Sequence, residues 1–94
     1  MENLKDLTIR EIAALIRKDW KKVYFGAVPY LDALSEVDSL SDPYYAEDGR
    51  TQSLYFRSNA SGWRGPVAKA IKAELKRRED EPGTRWSNGQ PSPR

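Results

Sequence analysis

Basic side chains recur along residues 58–79, SNASGWRGPVAKAIKAELKRRE, at spacings that suit contacts with nucleic-acid phosphates. Lys69, Lys72 and Lys76 are three and four residues apart, so a helix would place them on one face. Arg64 lies near the start of that helix, where a helix-turn-helix places side chains that read bases. The pattern therefore predicts, as one alternative, a DNA-binding helix-turn-helix-like module that uses Arg64, Lys69, Lys72 and Lys76.

The same segment also has a purely structural interpretation. Trp63, Val67, Ile71 and Leu75 recur every fourth residue and predict an apolar face against a core, which would turn the lysines to solvent with or without DNA. Of the 16 basic residues, only Arg85 and Arg94 follow residue 81. The other 14 are balanced by all 14 acidic residues, so residues 1–81 have no formal net charge. DNA-binding domains usually carry a surplus of positive charge. Nucleic acid is therefore the second choice of partner.

Acidic residues and tyrosines concentrate between residues 31 and 49, a segment with six acids and no base. Its Asp-Pro and Asp-Gly pairs are typical of turns, so the segment SDPYYAEDG is predicted to be a loop. Tyrosine is enriched at protein interfaces and among their hot spots. The candidate protein-binding residues are Asp42, Tyr44, Tyr45, Glu47 and Asp48. They give the leading hypothesis, a protein partner.

Catalysis and cofactor binding have little support in the composition. The chain has no cysteine and no histidine, which removes the commonest general acid–base residue and most transition-metal ligands. The acidic loop lacks the spacing of a calcium-binding loop, and no glycine motif for phosphates follows a predicted strand. We therefore expect a protein that is not an enzyme, with no catalytic residue, no cofactor and no metal.

The first predicted helix begins at Thr8, because Thr8 and Glu11 match a capping box. Its apolar positions run from Ile9 to Val23, and Gly26 is the predicted stop. A second helix is predicted from Pro29, which suits a first turn, to about Leu40.

A third helix is predicted from Arg50 to Asn59 with Asp48 as its cap, although a strand remains open there. Leu54, Tyr55 and Phe56 are consecutive, so this element is expected to be mostly buried. Ser61 is the predicted cap of the fourth helix, and Pro66 suits its first turn.

These elements predict an all-α fold, a compact bundle of three to four short helices over residues 1–81. Proline, glycine and serine dominate residues 82–94 and predict a disordered, flexible tail, in which Trp86 is either a docking element or a bare aromatic residue. The longest apolar run, residues 12–16, is too short to cross a bilayer. We therefore expect a cytoplasmic, soluble protein with no membrane partner.

Two stretches carry a resemblance to known sequences. WKKVYFGAVPYLDAL, residues 20–34, and LYFRSNASGWRG, residues 54–65, resemble segments of small uncharacterised proteins of bacteriophages and mobile genetic elements. The resemblance covers most of residues 9–76. It implies an accessory role, a modulator or inhibitor type of protein that acts by binding. It assigns no functional residue.

Overall fold

Four α-helices make up most of the fold, which confirms the predicted all-α class. A computed structural model of the chain describes residues 3–44 and 47–81. After a 3₁₀ turn at Leu4–Asp6 come helices α1 (Ile9–Asp19), α2 (Val28–Leu34), α3 (Gly49–Ser58) and α4 (Pro66–Glu79), with two short strands, β1 (Pro43–Tyr44) and β2 (Glu47–Asp48), between α2 and α3. The tail predicted for residues 82–94, with Trp86, lies outside the described residues.

The helices alternate in direction along the chain. Arg10 binds Asp38 and Arg17 binds Asp32, so α1 and α2 are antiparallel. The backbone N–H of Arg50 donates to the carbonyl of Leu40, which places the start of α3 beside the segment that follows α2. The upper end of the bundle therefore holds the end of α1, the start of α2, the end of α3 and the start of α4. The lower end holds the opposite termini.

Helix α1 begins as predicted and ends earlier than predicted. The Thr8 hydroxyl accepts from the N–H of Glu11, and the Glu11 carboxylate accepts from the N–H of Thr8, which confirms the capping box. The predicted stop at Gly26 is wrong, because the helix ends at Asp19 and Trp20 takes an extended backbone. This early end turns the Trp20 ring onto Phe56 and Trp63 instead of leaving it on the stripe of α1.

The core is filled from all four helices. Its fully buried aliphatic side chains each contribute roughly 1.5–3 kcal/mol by leaving water. At the upper end the Trp20 and Trp63 rings stack at 5.7 Å between centroids, and Phe56 meets both rings edge-on. The largest fully buried apolar side chains are Ile9, Ile12, Ile16, Leu31, Leu34, Phe56, Ile71 and Leu75.

Helix α2 is shorter than the sequence predicts. It begins at Val28, one residue before Pro29, and ends at Leu34 rather than near Leu40. The segment after it continues as turns, in which Val37 and Leu40 are nevertheless buried. The apolar spacing that suggested a longer helix therefore reports burial in this segment and not helical backbone.

Helix α3 settles the choice between helix and strand that the sequence left open. Asp48 caps it as predicted, since its carboxylate accepts from the N–H of Thr51. The expectation that the element is mostly buried is wrong for two of its three consecutive apolar residues. Phe56 is buried, whereas Leu54 and Tyr55 are exposed, because a helix turns consecutive residues 100° apart and only one can face the core.

The connection before α4 differs from the prediction. Ser61 does not cap the helix; Gly65 holds the cap position with a φ of 111°. Glycine adopts this left-handed backbone without steric cost, whereas side chains rarely do. Trp63 therefore precedes the helix, although its ring is buried as the apolar pattern predicted.

A minimal hairpin replaces the loop predicted between α2 and α3. Strands β1 and β2 are antiparallel, with Pro43 opposite Asp48 and Tyr44 opposite Glu47. The Asp-Pro and Asp-Gly pairs flank this hairpin, so their turn signals mark its ends.

Candidate binding surfaces

Five apolar or aromatic side chains of the turn between α1 and α2, of α2 and of α3 are exposed or only partly buried. Phe25 is 80% exposed, Tyr24 50% and Tyr55 44%, and Val28 is also exposed. Tyr30 is half-buried beneath Tyr55, with 5.4 Å between the two ring centroids. We call Tyr24, Phe25, Val28, Tyr30 and Tyr55 the aromatic surface.

A tight turn between α1 and α2 positions the most exposed rings. The N–H of Ala27 donates to the carbonyl of Tyr24, which closes the turn, and the Tyr24 and Phe25 rings lie 4.9 Å apart. A Cβ on Gly26 would come within 2.6 Å of the Tyr24 ring and 3.1 Å of the Asn59 side chain. Glycine thus lets the turn approach the end of α3, which joins Tyr24 to the face that carries Tyr55.

The predicted protein-binding segment is only partly available for contacts. Asp42 accepts from the N–H groups of Asp38 and Ser39, and Asp48 caps α3. Glu47 is exposed and accepts from the side chain of Gln52. These bonds give the acids a structural role in the connection between α2 and α3.

The two tyrosines predicted within that segment add little to its description. Tyr45 lies outside the described residues, and of Tyr44 only the backbone in β1 is described. The other three of the five tyrosines, Tyr24, Tyr30 and Tyr55, belong to the aromatic surface, and the sequence alone does not place them together.

Of the four residues of the predicted DNA-binding face, Arg64, Lys69 and Lys72 border one groove, and Lys76 lies one turn further along α4. Arg64 and Lys69 are exposed without an acidic partner among the described residues, and Arg64 precedes α4. Lys76 binds Asp80 at 2.7 Å. The expectation that Lys72 faces solvent is wrong, since its ammonium donates to the carbonyls of Ala60 (2.7 Å) and Trp63 (2.6 Å).

The surroundings of Lys72 perturb its titration. Partial burial lowers the pKa of the Lys72 ammonium, and the positive charge of Arg64 lowers it further. The ammonium also lies 5.8 Å from the centre of the Trp63 ring. Lys72 therefore holds the connection before α4 in place, while Arg64 adds a second positive charge close by.

Basic residues without a carboxylate partner gather at the upper end of the bundle. Within residues 3–44 and 47–81, six basic side chains at the upper end form no ion pair, and neither does Lys5 at the lower end. The indole N–H of Trp63 donates to Asp19 at 2.8 Å, which joins the end of α1 to the start of α4. We call the six unpaired basic residues of the upper end the basic cluster: Lys18, Lys21, Lys22, Arg64, Lys69 and Lys72.

An open groove runs along the α4 side of this cluster. It has a volume of about 480 Å³, and Arg64, Lys69 and Lys72 line it together with Trp63. A Cβ on Gly65 would meet nothing within 4 Å, so the backbone here is open to solvent. The cations thus border an accessible concave surface.

One buried polar group elsewhere deserves comparison with a catalytic pair. Ser53 donates to the Glu79 carboxylate at 2.6 Å, and Arg57 binds both oxygens of the same carboxylate. A serine nucleophile must reach a substrate, but Ser53 is fully buried. The Arg57 guanidinium has a raised pKa, mainly because of its hydrogen bonds to Glu79. Ser53, Arg57 and Glu79 thus join α3 to α4, and the Ser53 hydroxyl is not accessible to a substrate.

The described part of the chain shows no cluster of metal ligands and no helix that could cross a membrane. No group of three or more acidic side chains there lies close enough to share a metal ion. None of its helices combines the length and the apolar character that crossing a bilayer requires.

Comparisons with known proteins give no relative for this chain. It matches no protein-family model, no curated protein and no solved structure. Its function is therefore argued from the surfaces described above.

Proposed function

We propose that this chain is a small non-catalytic accessory protein, of phage or mobile-element type, that binds a protein partner through the aromatic surface. The observation that carries the proposal is the exposure of Tyr24, Phe25, Val28 and Tyr55 on the turn before α2, on α2 and on the end of α3 that this turn approaches. Covering a large apolar side chain contributes roughly 1.5–3 kcal/mol, and the isolated chain leaves this free energy unused at Phe25.

The composition of the surface suits a protein interface. Aromatic residues are enriched at interface centres and among the residues that dominate binding energy. Tyr30 supports Tyr55 from below, so part of the surface is already held in place before a partner arrives. Ordering fewer side chains on binding lowers the entropic cost of association.

The predicted acidic contact segment is the less favoured docking surface. Asp42 and Asp48 already bind backbone N–H groups, and a partner that took those carboxylates would weaken a turn and a helix cap. We therefore assign the contact to the aromatic surface, with Glu47 as the exposed acid of the predicted segment.

Site-specific photocrosslinking in a host cell tests this proposal. A photoreactive phenylalanine replaces Phe25 or Tyr55, and in a matched control it replaces Glu36, which is exposed on the turn after α2. We expect positions 25 and 55 to crosslink the same protein and position 36 not to do so. With that protein purified, Phe25→Ala should weaken binding about tenfold or more. Equal crosslinking from all three positions would contradict the proposal.

The helix-turn-helix-like alternative remains a second proposal, supported by the exposure of Arg64 and Lys69. The engagement of Lys72 and Lys76 within the fold counts against it. It requires sequence-selective binding to duplex DNA, tighter than about 1 μM at near-physiological salt and lost in Arg64→Ala. A titration against selected and random duplexes distinguishes it, since the leading proposal predicts no selectivity.

A further inference from the structure

We infer that the basic cluster binds the phosphate backbone of nucleic acid without reading its sequence. This activity uses a different surface from the proposed protein contact and does not depend on it. It also differs from the helix-turn-helix alternative, because its charges come from two helices and no helix need enter a groove.

The first observation is the separation of paired and unpaired charges. Arg10, Arg17, Arg57, Arg77 and Arg78 each lie within 3.1 Å of a carboxylate oxygen. By contrast, no member of the basic cluster has such a partner among the residues that the structure describes. A chain with balanced charge can therefore still present a strongly positive surface at one end, and such a surface attracts polyanions.

The second observation is that the fold brings these charges together from distant parts of the chain. Asp19 and Trp63 are joined by a hydrogen bond and are 44 residues apart. Lys18 and Lys21 flank the first of them, and Arg64 follows the second. The lowered pKa of Lys72 has the charge of Arg64 among its causes, as expected where like charges are close. Asp19 lies among the cations, but a single carboxylate leaves most of their charge uncompensated.

The third observation is the shape of the surface. Lys18, Lys21, Lys22, Arg64 and Lys69 are exposed, and three members of the cluster line the open groove beside Trp63. Lysine and arginine at an accessible surface bind phosphates mainly by releasing condensed counterions. Nothing in this arrangement supplies the paired donors that distinguish one base from another, so sequence should not matter.

Binding to a labelled DNA duplex of about 20 base pairs, in fluorescence anisotropy titrations of the full chain, tests the inference. If the cluster neutralises about three phosphates, the affinity should fall roughly 50-fold between about 50 and 200 mM salt. A single strand of equal length should bind no more tightly than the duplex, whose charge density is higher. No detectable binding at about 50 mM salt would overturn the inference.

Matched variants show whether the cluster is responsible. Lys21→Gln with Lys22→Gln, and separately Arg64→Gln with Lys69→Gln, should each weaken duplex binding at least about fivefold and lower the salt dependence by one to two phosphates. The control, Lys5→Gln with Lys76→Gln, removes the same charge elsewhere and should change the affinity less than about twofold. Equal loss in the control would contradict a localised site. Circular dichroism confirms folding of every variant.

Two further measurements distinguish phosphate binding from base stacking and from the binding of acidic proteins. Phe25→Ala should leave binding to both duplex and single strand unchanged; a selective loss for the single strand would mean that stacked bases carry recognition, and would overturn the inference. Polyglutamate of equal total charge should compete much less effectively than the duplex. If it competes equally well, the cluster recognises acidic proteins and not nucleic acid.

Discussion

Ion pairs surround the end of α4 at the lower end of the bundle, whereas most basic side chains of the upper end are exposed. Around the end of α4, Glu74 binds Arg77 and Arg78, and Glu79 binds Arg57. At the upper end, Lys21 and Lys22 have no such partner within residues 3–44 and 47–81, and the exposed Phe25 follows them closely. Most of the ion-paired charges and most of the charges without a carboxylate partner among the described residues thus lie in different parts of one small fold.

The aromatic residues show the same division within the upper end itself. Trp63 is buried, stacks on Trp20 and donates to Asp19, so it belongs to the core. Phe25 is 80% exposed, and its ring lies 4.9 Å from that of Tyr24. The comparison predicts that Trp63 and the lower end determine stability, while Phe25 and the basic cluster determine binding.

The largest expected effect is the loss of Trp63. Trp63→Ala should lower the free energy of unfolding by about 3–5 kcal/mol, because it leaves a cavity beside Trp20 and Phe56. Trp20→Ala should cost less, since its ring is only half-buried. Urea unfolding followed by circular dichroism measures both. A smaller loss for Trp63→Ala than for Trp20→Ala would place Trp63 outside the core.

A medium effect is expected at Glu79, which is 7% exposed, compared with 57% for Asp32. Both carboxylates lie 2.6 Å from an arginine nitrogen, so they differ mainly in burial. Glu79→Gln should cost about 2 kcal/mol because Arg57 and Ser53 lose a charged acceptor. The control Asp32→Asn should cost less than about 1 kcal/mol. Equal losses in urea unfolding would show that burial does not decide the strength of these pairs.

A smaller effect is expected on the stability of the protein at low pH. Hydrogen bonds from Arg77, and then from Arg78, hold the pKa of Glu74 below its usual value near 4.5. A lowered folded-state pKa stabilises the protein above the unfolded-state value, and this contribution is lost as the pH falls through the folded-state pKa. Stability should therefore fall below about pH 4.5, and less steeply in Glu74→Gln. Urea unfolding at several pH values checks this, and identical slopes in both proteins would contradict it.

Local sequence signals predicted the fold well where a few neighbouring residues decide the structure. The capping box at Thr8 and the cap at Asp48 are both present. Each depends on hydrogen bonds between residues only three positions apart in the sequence. The end of α1 could not be predicted in this way. It depends on Trp20 packing against Phe56 and Trp63, which are far along the chain.

The candidate surfaces were predictable only in composition. The sequence shows an excess of tyrosine, but the approach of Tyr24 to α3 depends on Gly26 and Asn59, which only the fold brings together. The lysines of α4 are predicted to form one basic face, yet Lys72 donates to the carbonyl of Ala60, which follows α3 and also accepts from the N–H of Trp63. Backbone carbonyls that the fold brings near α4 thus bind Lys72, whereas Lys69 stays exposed. The spacing of the lysines in the sequence does not show this difference.

We expect Lys21, Lys22 and Phe25 at the upper end to serve binding and not folding. The most direct test of this expectation is urea unfolding of the triple variant Lys21→Gln, Lys22→Gln, Phe25→Ala. Because these side chains are exposed and the lysines have no ion-pair partner in the described structure, we expect the free energy of unfolding to stay within about 1 kcal/mol of the parent protein. A loss of more than about 2 kcal/mol would show that the fold itself depends on these residues and would contradict the account.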